Sequence, residues 1–458
     1  MRLTAVGAFA ALVVVSVTGA GPVAAADKSL FEGAWNLAMP RPGWDPAVAK
    51  GRLVLASSGG MWTGDLTFEV VLGGRKQTLV DVGVKGTAVE FRIDSGPQGD
   101  LRFDGKLEKD ALEGRCVWKG CGEFKWTAER LDEKPVERFE KGLTFDGYLP
   151  KGDAEKLGID GAALDALIRE AAGNDTDSLL VLRDGKVVAE RTFGRAPGPI
   201  HVMSVTKWVT AFAAAMLLED RKIASLDAPL STWFPEWKDG LKAKVALRHL
   251  LTHTSGIEHG KVATKLNQEK DKVAFVRASA VTTEPGTVWE YNNEAVALLS
   301  GVLGQAAGRP VDDLLRERLF TPLGVKKVAW DRDGAGNTLT YANLALTARD
   351  LARLGQFVLD GGKAGGKQLV ASESIALLAA PATAVKDDQG LLWMLLRDGQ
   401  GKEDVGTYHT GWLGQWIVVL PRSRTVGIRL RRNKGGPDQE KPEFEFGSFA
   451  QRLMAAAK

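Results

Sequence analysis

The chain has 458 residues, with 60 Lys and Arg against 57 Asp and Glu and a formal net charge of +3. So small an excess over so long a chain excludes the basic footprint of a nucleic-acid-binding protein. The length is too great for one ordinary domain and allows at least one large core, so two domains are expected.

Residues 1–26 read as a secretory signal peptide: Met1-Arg2, an apolar run from Ala5 to Ala20, then Ala24-Ala25-Ala26 before Asp27. The run is short and ends in an Ala-x-Ala site, which separates it from a membrane anchor. The expectation is an exported protein, periplasmic or extracellular, with no stable membrane anchor after cleavage. Residues 27–131 follow as an N-terminal all-β accessory domain, barrel or sandwich. The segments 52–55, 66–71, 89–93 and 124–128 alternate apolar and polar residues between Gly, Asn and Asp turns, which is the period of antiparallel strands. The opening Phe31-Glu32-Gly33-Ala34-Trp35 has the Gly-x-Trp look of small β-barrels, so a ligand bound by this domain is one expectation. Cys116 and Cys121, the two cysteines of the chain, are expected to pair as a small local disulfide in an oxidising space. A metal would need more ligands than two thiols, and no histidine lies nearby.

Residues 132–152 turn charged and carry Pro135, Gly142, Gly147, Pro150 and Gly152; they read as a linker to a larger domain, 153–458. That domain opens with a helix over 162–172 and a hairpin of 178–182 and 186–190 turning at Asp184-Gly185. A helical run follows over 201–218, then an apolar helix pattern over 295–303. Near the C-terminus come paired strands at 415–420 and 425–430 and a closing helix at 449–456. Strands at both ends with helices between them define an α+β class.

Ser204-Val205-Thr206-Lys207 sets a hydroxyl and an amine three residues apart on one helix face. A serine is a poor nucleophile until a neighbour takes its proton, and a desolvated lysine, its pKa lowered by burial, can do so. The field of a helix N-terminus favours the charge that develops on the oxygen. Two further polar clusters follow in order: Tyr291-Asn292-Asn293 after a Pro-Gly turn, and Tyr408-His409-Thr410-Gly411-Trp412-Leu413-Gly414 leading into the strand at 415–420.

In these three clusters the chain resembles the serine β-lactamase and penicillin-binding-protein superfamily, whose signature is Ser-x-x-Lys, then Tyr-x-Asn or Ser-x-Asn, then Lys-Thr-Gly or His-Thr-Gly. It is most similar to the Tyr-x-Asn branch of class C β-lactamases, family VIII esterases and D-aminopeptidases. The stretches 248–257 and 346–354 are also similar to this branch, and the resemblance covers about residues 150 to 458. It implies a β-lactamase/transpeptidase-like catalytic domain, an antiparallel sheet flanked by helices plus a helical lobe, with the active site between them and no cofactor. It further implies Ser204 as nucleophile, with Lys207 and Tyr291 sharing the proton traffic. Asn293 would hydrogen-bond Lys207 and a substrate amide, and His409, Thr410, Gly411 and Trp412 would bind substrate. The backbone amides of Ser204 and Trp412 would form the oxyanion hole.

His409 departs from the commoner lysine. With an ordinary pKa of about 6.5 it is mostly neutral at pH 7 and offers no fixed charge to a substrate carboxylate, which tilts the reading toward an esterase or peptidase. His249 and His253 have helical i, i+4 spacing, but no His-Glu-x-x-His accompanies it; both read as structural and no metal is expected. No Gly-x-Ser-x-Gly is present, so an α/β-hydrolase has no nucleophile elbow here. Trp289, Trp393 and Trp412 are candidates for an apolar acyl pocket or for the core. Arg429, Arg431, Arg432 and Lys434 read as a solvated strand end, with binding of an acidic substrate group as the alternative. The function expected is an exported serine hydrolase acting through an acyl-enzyme on an ester, a D-amino-acid peptide or amide, or a β-lactam. The alternative is a slow-turnover penicillin-binding or sensing protein whose N-terminal β domain recognises the ligand.

Overall fold

The computed structural model describes residues 31, 33–39, 50–58, 61–68, 76–94, 100–118, 122–130, 136–193, 198–259, 263–398, 403–433 and 445–457. The signal-peptide segment, Cys121 and Lys434 lie outside these residues. The chain divides into two compact units, Met1–Lys134 and Pro135–Lys458.

The first unit is an antiparallel meander of β1 (Gly33–Ala38), β2 (Lys50–Ser58), β3 (Met61–Phe68), β4 (Lys76–Thr78), β5 (Val80–Lys85), β6 (Ala88–Ile93), β7 (Leu101–Glu108), β8 (Ala111–Trp118) and β9 (Gly122–Arg130). The strand order is β4-β3-β2-β1-β9-β8-β7-β6-β5. Strands β4 and β5 are halves of one stretch split at Leu79, the first pairing with β3 and the second with β6. Leu79 N donates to Gly64 O at 2.9 Å, so the two ends of the sheet meet and the sheet nearly closes into a barrel.

Side chains of alternate residues fill its interior, as small barrels require. Phe91 stacks on Phe103 at 4.7 Å, and Trp126 meets both edge-on at 5.9 Å. Trp35, Leu53, Leu66, Ile93 and Leu112 complete this core. Cys116 corrects the expected disulfide. It is a free thiol in this core, on the inward face of β8 opposite Phe124. Burial pushes its pKa up to about 12, the behaviour of an inert apolar side chain.

The second unit contains α1 (Gly161–Gly173), β10 (Ser178–Arg183), β11 (Lys186–Thr192), β12 (Ile200–His201), α2 (Val205–Glu219), α3 (Leu247–Leu251), α4 (Ala263–Gln268), α5 (Lys272–Ala278), α6 (Asn293–Ala307) and α7 (Val311–Leu315). After them come β13 (Ala329–Trp330), β14 (Leu344–Leu346), α8 (Ala348–Leu359), β15 (Lys363–Ala364), β16 (Lys367–Gln368), α9 (Ser372–Leu378), β17 (Met394–Arg397), β18 (Asp404–Gly411), β19 (Gln415–Leu420), β20 (Thr425–Leu430) and α10 (Phe446–Ala456). The main sheet runs β11-β10-β20-β19-β18-β17, all neighbours antiparallel. Asp184 and Gly185, at φ 49° and 72°, make the β10–β11 turn, the double left-handed geometry that an Asp-Gly pair supplies.

Residues 136–151 lie along β11, with Phe139 bridging to Glu190 and Lys151 to Val187. Helix α8 locks them there. Arg349 grips both carboxylate oxygens of Glu190 at 2.7 and 2.8 Å and donates to Thr144 O. The helix itself starts from a reciprocal cap, Thr347 Oγ1 accepting from Asp350 N and Asp350 Oδ2 from Thr347 N. The 346–354 stretch is therefore a capped helix that buttresses the sheet.

Helix α2 is the axis of the unit. Thirteen consecutive residues, Val205 to Leu217, are buried, so protein surrounds the helix on every side, as the apolar majority of these residues requires. Trp208 stacks on Trp393 at 4.8 Å, and Trp393 Nε1 donates to Trp208 O. That assigns Trp393 to the core and removes it from an acyl pocket. Among the described residues, no helix is long and apolar enough to cross a membrane.

Candidate active site

Ser204 sits at the mouth of α2, half-exposed, in the tight turn that begins the helix. Val205 N, Thr206 N and Lys207 N each reach back three residues, to Val202, Met203 and Ser204 carbonyls. Met203, just before the serine, is left-handed at φ 49°, a conformation that non-glycine residues hold only where the surroundings enforce it. Those surroundings are the 338–346 segment. Val202 N donates to Leu344 O, Leu344 N to Thr206 Oγ1, and Thr210 Oγ1 to Thr340 O.

Lys207 is completely buried. Its Nζ lies 3.1 Å from Ser204 Oγ and donates to Tyr341 O at 2.7 Å. Burial holds the amine well below its usual 10.5, against the pull of the Glu294 charge. The neutral form so favoured has a lone pair for the Ser204 proton while an N–H stays on Tyr341 O. The Tyr291 ring centroid is 4.8 Å from Nζ. Burial pushes the phenol up to about 12, and its hydrogen bond with Ser204 pulls the other way, so Tyr291 keeps its proton near neutrality. Ser204, Lys207 and Tyr291 thus meet in one place.

The Tyr291-Asn292-Asn293 turn leads into α6. Asn292 is its cap, Oδ1 accepting from Ala295 N at 2.7 Å and Nδ2 donating to Ile257 O. Asn293 is the first helical residue, and its buried Oδ1 has no hydrogen-bond partner within the protein. The implied Asn293–Lys207 bond is replaced by the Tyr341 carbonyl. Asn293 is left with a buried acceptor that no donor of the protein meets. A backbone carbonyl carries no sequence signature, so nothing in the chain points to Tyr341 as the partner of Lys207. Asn292 was hidden as the unspecified middle of a motif, although Asn ahead of an apolar helical run is itself a cap signal.

Strand β18 brings the third cluster. An added Cβ on Gly411 would lie 2.5 Å from Val202 O and 3.2 Å from the Met203 Cβ, so a bare glycine lets this strand end press against the residues before the nucleophile. Trp412 follows, 51% exposed, with Leu413 at φ 71° and Gly414 at φ 82° closing the turn. The large apolar side chain of Trp412 is open to solvent. Thr410 is half-buried opposite Trp416. His409 is buried, and burial together with nearby Lys207 takes its pKa down to about 3. Its Nδ1 lies 2.7 Å from Thr410 O, so the proton is on Nδ1 and Nε2 is a bare acceptor. A lysine in this position would be a cation with donors to spare; His409 is uncharged, and its one N–H is taken by Thr410 O.

The remaining candidates have plain partners. His249 Nδ1 accepts from Ala246 N at 3.0 Å and caps α3. Trp289 is half-buried, donating to Gln389 Oε1, with Lys386 Nζ 4.9 Å from its ring. The expected solvated strand end is corrected. Arg429 is fully buried over Trp416, donating to Gly414 O, Thr176 Oγ1 and Asn174 O. Arg431 pairs with Asp175 and Arg432 with Asp177. Arg429 thus ties the turn after Trp412 to residues 174–176, and Arg431 and Arg432 pair with the same segment ahead of β10.

A fold of antiparallel sheet and buried central helix, with serine and lysine at its mouth, defines the serine β-lactamase and penicillin-binding-protein class. The Beta-lactamase family matches residues 164–445, more than half of the chain, and the chain belongs to that family. Among its relatives is an uncharacterized protein of Alkalihalophilus pseudofirmus, 24% identical over 319 residues, 60% of this chain and 90% of that one. Esterase EstB of Burkholderia gladioli is 28% identical over 170 residues, 32% of this chain and only 43% of that enzyme. The solved penicillin-binding protein homologue of Caulobacter crescentus shares the fold at a TM-score of 0.52 and 18% identity, over 67% of this chain and 98% of that one.

Proposed function

We propose that the chain is an exported serine hydrolase that opens uncharged carboxylic esters with an apolar acyl group, through an acyl-enzyme on Ser204. The observation that carries this reading is the 3.1 Å approach of Ser204 Oγ to the Nζ of a wholly buried lysine. Oγ attacks the ester carbonyl carbon while Lys207 Nζ takes its proton. The oxyanion is received by the Ser204 and Trp412 amides. The C–O bond to the alcohol breaks, and the alcohol leaves with the proton from Lys207, passed directly or through the Tyr291 hydroxyl. Water then attacks the acyl carbon while Lys207 Nζ takes its proton; the C–Oγ bond breaks, Oγ takes that proton back from Lys207, and the carboxylic acid leaves with Ser204 restored.

The choice of an uncharged ester rests on His409 and Trp412. A carboxylate brought against a neutral imidazole that presents an acceptor loses hydration without gaining a charge partner. The exposed indole offers contact to an apolar acyl chain. The esterase name borne by EstB agrees with this choice. Its test is a comparison of kcat/KM for p-nitrophenyl butyrate, benzylpenicillin and a D-alanyl-D-alanine peptide. The ester is expected to lead by about 100-fold or more, a difference of about 2.7 kcal/mol in transition-state binding; a lead for either carboxylate-bearing substrate would overturn the choice.

Export rests on the charged start and apolar run of residues 1–26. N-terminal sequencing of the protein from periplasm or medium is expected to begin at Asp27. An intact Met1 on that protein would contradict it.

A further inference from the structure

The turn that carries Tyr291 is held on both sides by a single residue. Glu290 N donates to the His253 carbonyl at 2.9 Å, and Asn292 N donates to His253 Nδ1 at 3.1 Å. The imidazole also lies against the phenol, ring centroids 4.7 Å apart and tilted by 31°, with the Trp289 ring edge-on at 6.1 Å. His253 is buried and its backbone is left-handed at φ 57°, which non-glycine residues rarely adopt. Its loop is tied to the same segment twice more, by Gly286 N to Thr254 O and Thr282 N to Gly256 O. An added Cβ on Gly256 would lie 2.0 Å from Thr283 O, so the bare glycine lets the loop press directly onto that segment.

We infer that His253 is the positioning residue of Tyr291. It fixes the peptide units before and after the tyrosine and blocks the swing of its ring, so that the phenol stays on Ser204 and Lys207. The inference rests on the reading of Tyr291 as the proton relay of acyl transfer. Two properties are needed at once: a flat ring at the height of Tyr291, and an acceptor at the Nδ1 position for the Asn292 N–H. Phenylalanine offers the first alone, asparagine the second alone. Asparagine also tolerates a left-handed backbone. Accepting at Nδ1 places the imidazole hydrogen on Nε2, the opposite tautomer to His409. Burial, with Lys207 and His409 nearby, holds His253 well below its usual 6.5, which keeps the acceptor free of a proton.

The test is a mutant cycle on the full-length protein with p-nitrophenyl butyrate, reading kcat, KM and Tm. Tyr291→Phe is expected to lower kcat by about 100-fold. H253F is expected to lower kcat by a similar factor of about 100, with KM moved less than about threefold, because a misplaced relay slows chemistry rather than binding. H253N is expected to recover at least about tenfold of that loss by accepting from Asn292 N. The double variant Y291F/H253F is expected to be little worse than Y291F, since a positioning residue has nothing left to position. Losses that multiply in the double variant, or H253F and H253N equally impaired, would make His253 a core residue only and overturn the inference. So would H253F with wild-type kcat. If H253F does not fold, H253Q replaces it: its amide oxygen sits one methylene too far out, and the same deficit relative to H253N is expected. An unchanged kcat in Y291F would instead remove the relay reading, and the inference with it, whatever the His253 variants do.

Discussion

Replacing Ser204 with alanine is expected to lower ester turnover by about 10⁴-fold or more, with little change in Tm. Losing a covalent nucleophile removes the two-step route itself, and what remains is binding and the oxyanion site. Stability is spared because Ser204 is only half-buried and its side chain makes no capping bond to the helix. The turn around it is held by backbone bonds from Val205, Thr206 and Lys207 and by the 338–346 segment. Lys207 keeps its bond to Tyr341 O in the variant. Initial rates beside a thermal melt decide it; turnover within tenfold of wild type would be incompatible with Ser204 as nucleophile.

Lys207→Met is expected to lower kcat by about 10³-fold at unchanged KM, the usual range for a general base. Methionine nearly conserves the volume and removes an amine that is costly to bury, so Tm should hold or rise. The pH profile sharpens the assignment. In the proposed mechanism the active form of Lys207 is the neutral amine, so kcat/KM is expected to fall as pH drops through its pKa, with this acid limb well below 10.5 because burial disfavours the ammonium. No alkaline limb is expected from Tyr291 until pH approaches about 12. The variant should lose the acid limb along with the rate. A wild-type half-rise near 10.5 would mean that the lysine is solvated and charged, and the phenol, not the amine, would then have to take the serine proton.

The parts of this arrangement legible in the sequence are those written in local chemistry. Strands at 415–420 and 425–430 appear at those residues as β19 and β20, because two apolar runs bounded by turn residues leave little choice of register. Asp184-Gly185 specified its turn by conformation alone. Ser204 and Lys207 share a helix face by spacing, and distant elements were not needed to find them. The helical run placed over 201–218 begins four residues later, since 200–201 pair with β14 in a small sheet, a long-range contact without local signature. Long-range geometry likewise withheld the Tyr341 carbonyl on Lys207, the double grip of His253 on the Tyr291 turn, and the burial of Arg429 over Trp416. Cys116 misled for a similar reason: nearness in sequence to Cys121 said nothing of which face of β8 its thiol takes.

The central claim is a covalent acyl group on Ser204. Its most direct test is intact-mass and peptide mass spectrometry of wild type and Ser204→Ala, acid-quenched within the first turnovers of p-nitrophenyl butyrate. One butyryl group per chain on the peptide containing Ser204, absent from the alanine variant, is the predicted result. No adduct at any quench time while wild type turns over, or an adduct that persists in S204A, would contradict it.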